Sequence, residues 1–595
     1  METNFPWFFL SFRPHQRKTT AQTHMKHPSH AFISTCIFLL FLCIAAQSQS
    51  VYAPLNSDYY HLIERYEIKY GRFADGMHTH VKPLPRQAVV QLADSVAKNH
   101  NFLSGRDRFN LTYLRNDSWE WAGDSADNDS RKPILKYFYR KKSDLFSVQT
   151  DDFDLHVNPV LHLGVGSENG TNDGTRYLNT RGVEVRGMIG KKIGFYSMFA
   201  DNQAVFPTYV QNYTNFYNAV PQEGYWKRLG GNGADFITAR GYFTFHVVKP
   251  IMVQFGHDKN FIGNGHRSLI LSDFPAAYPF LKINTRVWKL NYMNLFAQLT
   301  GDVNTFRDAL FPKKYFAFHH LSINLFKGLN VGLFESVMFG RPDPRRRFRY
   351  DFHYYNPIIF YRFVEQQVGS EDNAIIGLDF KWNFRRHFQL YGQLVLDEFL
   401  LGQVRSGRGW WANKQAIQLG AKYMDVFNIR NLDLQTELNI VRPYTYAHKL
   451  DSSGVSYTNF VHYNLPMAHP LGANFVEWIG IVRYQPINKL QLTGKLIVAQ
   501  YGTDQTKNGG GITNWGGNIR RDYRTFEREY GNRTGQGVKT NLAYADMTAS
   551  YMLKHNFFMD AKLIVRRQQS SLLTQNTAFA SLNLRWNIAQ RLQEF

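Results

Sequence analysis

The chain has 595 residues, with 48 Phe and 34 Tyr, 16% aromatic residues in all and only 19% charged ones, a balance too aromatic and too charge-poor for a disordered polymer. Net charge is +22 and mean hydropathy is −0.39; with no long apolar run after residue 50, this excludes a bundle of membrane-spanning helices but not a barrel of alternating strands. Both cysteines, Cys36 and Cys43, fall in one N-terminal apolar stretch, which leaves the rest without disulfides or cysteine metal sites.

Met25-Lys26-His27 opens a secretory leader. A Phe-, Leu- and Ile-rich run from Ala31 to Ala46 follows, then Gln47-Ser48-Gln49-Ser50. A basic start, a short apolar centre and small closing residues make an export signal, with cleavage expected after Ser48 and Met25 as the conventional start. The run is shorter than the roughly 20 residues of a helical span. Leu42 before Cys43 and Thr35 before Cys36 disfavour a lipoprotein. Residues 1–48 are read as leader and signal peptide.

Residues 49–147 read as a small periplasmic helical domain. Ser57 or Asp58 is expected to cap a helix carrying Leu62, Ile63, Tyr66 and Ile68, with Gly71 at its end. Pro85 is placed to open a second helix with Val89, Val90, Leu92 and Val96 on one side. A short third helix is expected near Arg108–Tyr113.

From residue 148 to 595 the period is two. Ile376, Leu378, Phe380, Trp382 and Phe384 share one face, against Gly377, Asp379, Lys381 and Asn383. After the turn Arg385-Arg386-His387, Leu390, Leu394 and Leu396 alternate with Gln389, Gln393 and Asp397. The pattern recurs in Leu432, Leu434, Leu438 and Ile440 against Asp433, Gln435, Glu437 and Asn439. Other short turns fall at Lys191-Lys192, Lys249-Pro250, Lys327-Gly328, Gln485–Lys489 and Lys554–Asn556. Between them lie long polar segments at roughly 203–234, 257–280, 341–373, 401–414, 443–472 and 501–540. Short turns alternating with long loops predict an all-β membrane protein, an antiparallel transmembrane β-barrel of about 18 strands. A soluble sandwich has no need of loops segregated by length. The count requires a turn within Phe280–Leu299, expected at Asn291–Asn294. Lys381 is assigned to the lumen, since a lysine on the lipid face near midplane would cost about 2–4 kcal/mol. The final Phe595 is read as the terminal aromatic of an assembled outer-membrane barrel.

Three loop segments are denser in polar and aromatic groups than solvation requires: Gly256-His257-Asp258 through Asp273, Asn356-Pro357-Ile358 through Asn373, and Asn514-Trp515-Gly516-Gly517-Asn518. The first two, with the glycine-rich segment running into Ser268-Leu269-Ile270-Leu271-Ser272, resemble the Wzi family of outer-membrane capsule-assembly proteins. Pro54 through Ile63 and Asn356 through Arg362 resemble still more closely its Bacteroidetes branch, which includes gliding-motility proteins of the RemB type. The resemblance covers essentially the whole mature chain. It implies an 18-stranded barrel with a periplasmic helical bundle and lectin-like retention of capsular or other surface polysaccharide.

A saccharide site needs amides and carboxylates for hydroxyls and aromatic faces for the C–H side of the ring. Asp258, Asn260, Asn264, His266, Arg267, Arg346, Arg362 and Glu365 are candidates for the polar contacts, and Trp410, Trp411 and Trp515 for the aromatic ones. Loop arginines including Arg341, Arg345, Arg347, Arg349, Arg405, Arg408, Arg520 and Arg521 suit an acidic polysaccharide or the phosphates of lipopolysaccharide; solvated loop charge is the plainer reading of each. The glycine-rich segment fits an inward-folded loop closing the lumen as well as it fits a sugar site. His78-x-His80 and the neighbours His319-His320, on opposite strand faces, lack further ligands at metal-site spacing. No catalytic motif, cofactor or nucleic-acid role is expected. The reading is a polysaccharide-binding or -anchoring barrel in capsule assembly, embedded in outer-membrane lipid. The alternatives are a scaffold in gliding motility or surface secretion, with periplasmic or surface protein partners, or a diffusion porin.

Overall fold

The computed structural model describes residues 50–595 apart from 74–76, 99–102, 124–127, 171–173, 304–310, 341–350, 358–360, 362–368, 370–371, 399, 453 and 508–509. The leader and its cleavage point lie outside the described residues. No helix among the described residues is long and apolar enough to cross a membrane.

Three helices come first. α1 (Ser57–Tyr70) is capped by Asn56, not by Ser57 or Asp58; the Asn56 side chain accepts the backbone N–H groups of Asp58 and Tyr59, satisfying two donors the first turn leaves open. Gly71 ends it at φ 74, the left-handed conformation glycine adopts at helix ends. α2 (Arg86–Ala97) follows Pro85 and buries Val89, Val90, Leu92 and Val96, as their spacing predicts. α3 (Gly105–Asp117) is longer than expected because a reciprocal capping box between Ser104 and Asp107 starts it early. Their apolar sides meet around Ile63, Tyr66, Leu92 and Leu114.

Among the described residues, 18 long antiparallel strands close into a barrel. In chain order they are β1 (Phe153–Glu168), β2 (Arg176–Ile189), β3 (Ile193–Val205), β4 (Gly233–Val248), β5 (Ile251–Asp258) and β6 (Tyr278–Val287). Next come β7 (Leu290–Thr300), β8 (Lys313–Asn324), β9 (Leu329–Phe339), β10 (Asn373–Phe384), β11 (Phe388–Glu398) and β12 (Lys414–Tyr423). The last are β13 (Leu432–Val441), β14 (Phe475–Ile487), β15 (Leu490–Thr503), β16 (Val538–Lys554), β17 (Phe557–Gln569) and β18 (Thr574–Trp586). β18 pairs back onto β1, with Trp586 opposite Leu161 and Phe579 opposite Glu168. Closure leaves no sheet edge, the condition for a strand in lipid.

Turns from even strands to the next odd strand all lie at one end. The long connections, 206–232, 259–277, 301–312, 340–372, 399–413, 442–474 and 504–537, all lie at the other. The helices pack at the short-turn end, where Arg106 donates to the Gln485 carbonyl at 2.6 Å and the Phe73 N–H to that of Lys327 at 3.0 Å. The turn expected at Asn291–Asn294 is instead at Trp288-Lys289, with Trp288 at φ 55. Asn291 and Asn294 are buried strand residues: their polarity reflects position on the wall, and the tight turn is made by an exposed tryptophan.

The barrel is inside-out. Leu419 (54% exposed), Leu333, Phe243, Val498 and Leu582 face outward, while Asp379, Lys381, Gln418, Glu437 and Asn439, on the alternate positions, are buried in the lumen. Phe595 does not end a lipid-facing strand. After Trp586 the chain turns inward, and Phe595 is buried against Tyr213 and Phe274, so the terminal aromatic of the wall is Trp586. Replacing mid-strand Leu419 with Arg is expected to cost about 2–4 kcal/mol, read by reversible unfolding in lipid vesicles; an unchanged stability would contradict the outward assignment.

Candidate functional site

The glycine-rich segment enters the lumen. Asp258 ends β5, where its Oδ1 accepts the Lys259 N–H at 2.8 Å. Asn260 is fully buried and accepts from Lys282 Nζ at 3.0 Å. The Asn264 carbonyl accepts from Lys422 Nζ at 2.7 Å. The backbone N–H groups of His266 and Arg267 donate to the Glu437 carboxylate at 2.7 and 3.0 Å. A Cβ on Gly265 would stand 2.7 Å from the Arg267 carbonyl oxygen, backbone that cannot give way as a side chain can, so glycine lets the turn close. The Ser268 hydroxyl accepts the N–H groups of Ile270 and Leu271 at 3.1 and 3.2 Å, which makes the Ser-Leu-Ile-Leu-Ser stretch the inward turn itself. All five predicted polar residues of this segment are thus engaged inside the barrel rather than displayed at its mouth.

Two further pieces fill the lumen. From α1, Lys82 and Lys422 grip Glu64, the first at 2.7 Å; burial works against this carboxyl's ionisation, and the two ammonium groups overcome it and hold it well below the usual carboxylate range. Lys69 reaches Asp425 at 2.8 Å and Asp107 at 3.2 Å, and Arg65 joins Asp107, Asp425 and Asp433. Lys381 pairs with Glu67 at 2.7 Å, in the lumen as assigned. From the C-terminal tail, Glu594 meets His266 at 2.6 Å and Lys495, and Arg591 meets Glu223 at 2.6 Å. What remains between them is a cavity of ≈150 Å³ lined by Glu64, Lys82, Arg240, Lys259, Arg483 and Arg591. Burial, and then the neighbouring Arg240, lowers Lys259 to about 8.

The tryptophans gather elsewhere, at the long-loop end. Trp411 stacks on Phe526 at 4.5 Å and 15° and on Tyr523 at 5.4 Å and 20°, with Trp410 6.3 Å away and Tyr444 edge-on at 6.0 Å. Trp515 carries the Arg528 guanidinium 4.8 Å over its ring, and Arg408 lies 4.4 Å over Tyr530. Hydrogen bonds join the three loops that build this end: Trp411 N–H to the Glu529 carbonyl and Tyr444 N–H to that of Gly516, each 2.9 Å. Arg521 pairs with Asp504 at 2.7 Å and Arg524 with Asp522 at 2.6 Å. Arg408 and Arg528 are exposed and form no ion pair among the described residues. Burial raises the Asp504 carboxyl, against the Trp515 N–H and Arg521.

Arg346, Arg362 and Glu365 lie outside the described residues, as do Arg341, Arg345, Arg347 and Arg349. The described part of their segment packs on the outer wall: Tyr361 meets His319 at 4.0 Å between rings and Tyr354 meets Phe339 at 4.6 Å. His319 faces outward beneath it while His320 faces the lumen, the opposition their adjacency predicts. Tyr523, Phe526 and Arg528 were not among the sequence candidates; the aromatic and basic spacing of Tyr523, Phe526, Arg528 and Tyr530 is the signal that points to them.

No protein-family model matches the chain, and no curated protein sequence does. Solved structures do. The Escherichia coli outer-membrane protein Wzi, involved in group 1 capsule assembly and a carbohydrate-binding β-barrel, superposes with a TM-score of 0.52 at 12% identity, over 91% of this chain and 100% of that one. The fold is that of Wzi. Pseudomonas aeruginosa OprD aligns at a TM-score of 0.39 and 9% identity, over 73% of this chain and 94% of its own. Acinetobacter baumannii OccAB4 aligns at 0.38 and 9%, over 74% and 98%.

Replacing Glu437 with Ala strips the inward segment of the carboxylate that receives two of its N–H groups. The expected cost is about 1–3 kcal/mol, with residues 263–271 becoming labile in hydrogen exchange; unchanged protection there would show that Glu437 does not hold the segment.

Proposed function

We propose that this chain is an outer-membrane barrel that binds or anchors surface polysaccharide, lectin-like, in capsule assembly. Its long loops face outward, and residues 49–147 form a periplasmic helical domain whose α1 enters the short-turn end of the barrel of residues 148–595. An export signal ending at Ser48 delivers it, and its sequence motifs favour the Bacteroidetes, RemB-like branch of the Wzi family. The observation that carries this reading is the long-loop aromatic cluster with two exposed guanidinium groups seated on its rings, Arg528 over Trp515 and Arg408 over Tyr530. Indole and phenol faces take the C–H side of a sugar ring, and the forks of Arg408 and Arg528 match carboxylates or phosphates. The preferred partner is therefore an acidic capsular glycan or the phosphate-bearing part of lipopolysaccharide. We assign the protein no catalytic role.

The test is retention of the purified protein on polysaccharide from its own cell surface. Trp410→Ala and Arg528→Ala are each expected to weaken retention about tenfold, and added salt to weaken the arginine-dependent part. An unmodified protein that is not retained would refute the proposal. The packed lumen counts against an open diffusion path, so planar bilayers are expected to show no steady conductance; a large stable conductance would favour the porin reading.

A further inference from the structure

Strands β8, β9 and β10 are neighbours, and Gly332 on β9 lies opposite Asp379 on β10 and Ser322 on β8. Because Gly332 has no side chain, two residues from the flanking strands meet over it: His320 Nε2 and Asp379 Oδ1 are 2.7 Å apart. A Cβ on Gly332 would stand 2.3 Å from Asp379 Oδ1 and 2.7 Å from His320 Nε2. Onto this pair the segment after α1 lowers His80, with its ring 5.1 Å from that of His320. The His80 segment is fixed there by the Val81–Ile262 pairing and by the Gly263 N–H donating to the His80 carbonyl at 2.8 Å.

His80, His320 and Asp379 are fully buried. Among the described residues neither His80 ring nitrogen has a hydrogen-bond partner, and the same is true of His320 Nδ1 and Asp379 Oδ2. Four buried polar atoms at one spot therefore lack the partner that burial demands, while one ligand atom from each residue lies within 4.8 Å of the others. The surrounding charges also fit. Asp379 and Glu67 are the carboxylates, Lys381 and Lys82 are the nearby cations, occupied by Glu67 and by Glu64 at 2.7 Å each, and His78 is turned to the Ser322 hydroxyl at 2.9 Å.

We propose that His80, His320 and Asp379 bind one borderline divalent transition-metal ion of the zinc class. Two imidazoles and a carboxylate are a donor set such ions take, with the remaining coordination left to water. The ion fastens the segment following α1 to the barrel wall and, through the Val81–Ile262 pairing, to the inward glycine-rich segment. It takes no part in polysaccharide retention.

The test uses the tag-free protein in detergent, stripped by chelator and titrated with Zn²⁺ alone. Elemental analysis after gel filtration is expected to find about one zinc per chain, with a rise in Tm on loading. His80→Gln and His320→Gln are each expected to lose both the retained zinc and the Tm shift while running as folded barrels on unheated gels. X-ray absorption of the zinc-loaded unmodified protein supplies a readout independent of any variant, with two imidazoles and an oxygen donor expected around the metal. No zinc retained by the unmodified protein, equal retention by His80→Gln, or a metal shell without imidazole would each overturn the assignment.

Discussion

A hydrogen-bonded sheet can sit in lipid only when it closes on itself, because an unpaired backbone group there costs several kcal/mol. That constraint turns the usual protein inside out: every second residue must be apolar for the lipid, and the alternate residues are free to be polar. Once Asp379, Lys381, Asp433 and Glu437 point inward, they need partners of their own, and an empty lumen would offer only water. In this chain the partners are supplied by the chain itself. α1 brings Glu64, Arg65, Glu67 and Lys69, the glycine-rich segment brings backbone N–H groups and Arg267, and the C-terminal tail brings Glu594 and Arg591.

The wall and its filling are therefore two halves of one electrostatic arrangement. Buried ion pairs of this kind add little net stability, because desolvation offsets most of their attraction, but removing one partner leaves an uncompensated charge. Their effect here is positional. They tie α1, the glycine-rich segment and the C-terminal tail to the wall, while aromatic residues and exposed arginines occupy the long-loop end.

The wall was legible in the sequence because a strand's side chains alternate, broken only by register shifts near strand ends such as Leu396/Glu398 and His246/Val248: Leu419 and Gln418 are told apart by parity alone. The short turns were legible for the same reason, save at Trp288, where a bulky interfacial residue occupies the turn and the asparagines that resemble turn residues, Asn291 and Asn294, line the wall. Of the candidate residues, the sequence made their loops legible but not which way each loop turns. Trp410 and Trp411 lie side by side on one long loop and Trp515 on another, while Asp258, Asn260, Asn264, His266 and Arg267 turn into the barrel. Local polarity cannot separate a group that meets a ligand from one that meets Glu437 or Lys282 across the lumen. The same holds for Phe595, a terminal aromatic by position and a lumen plug by contact, and for His80 and His320, which no spacing rule connects because Gly332 alone brings the second within reach of Asp379.

The inside-out barrel requires that the alternation run between lipid and lumen. Single cysteines at 417, 418, 419 and 420 on β12, labelled with a fluorophore in vesicles containing lipids brominated in mid-chain, read it directly. Strong quenching is predicted at 417 and 419 and little at 418 and 420. Equal quenching at all four positions, or none at any, would contradict the inside-out barrel and everything inferred from it.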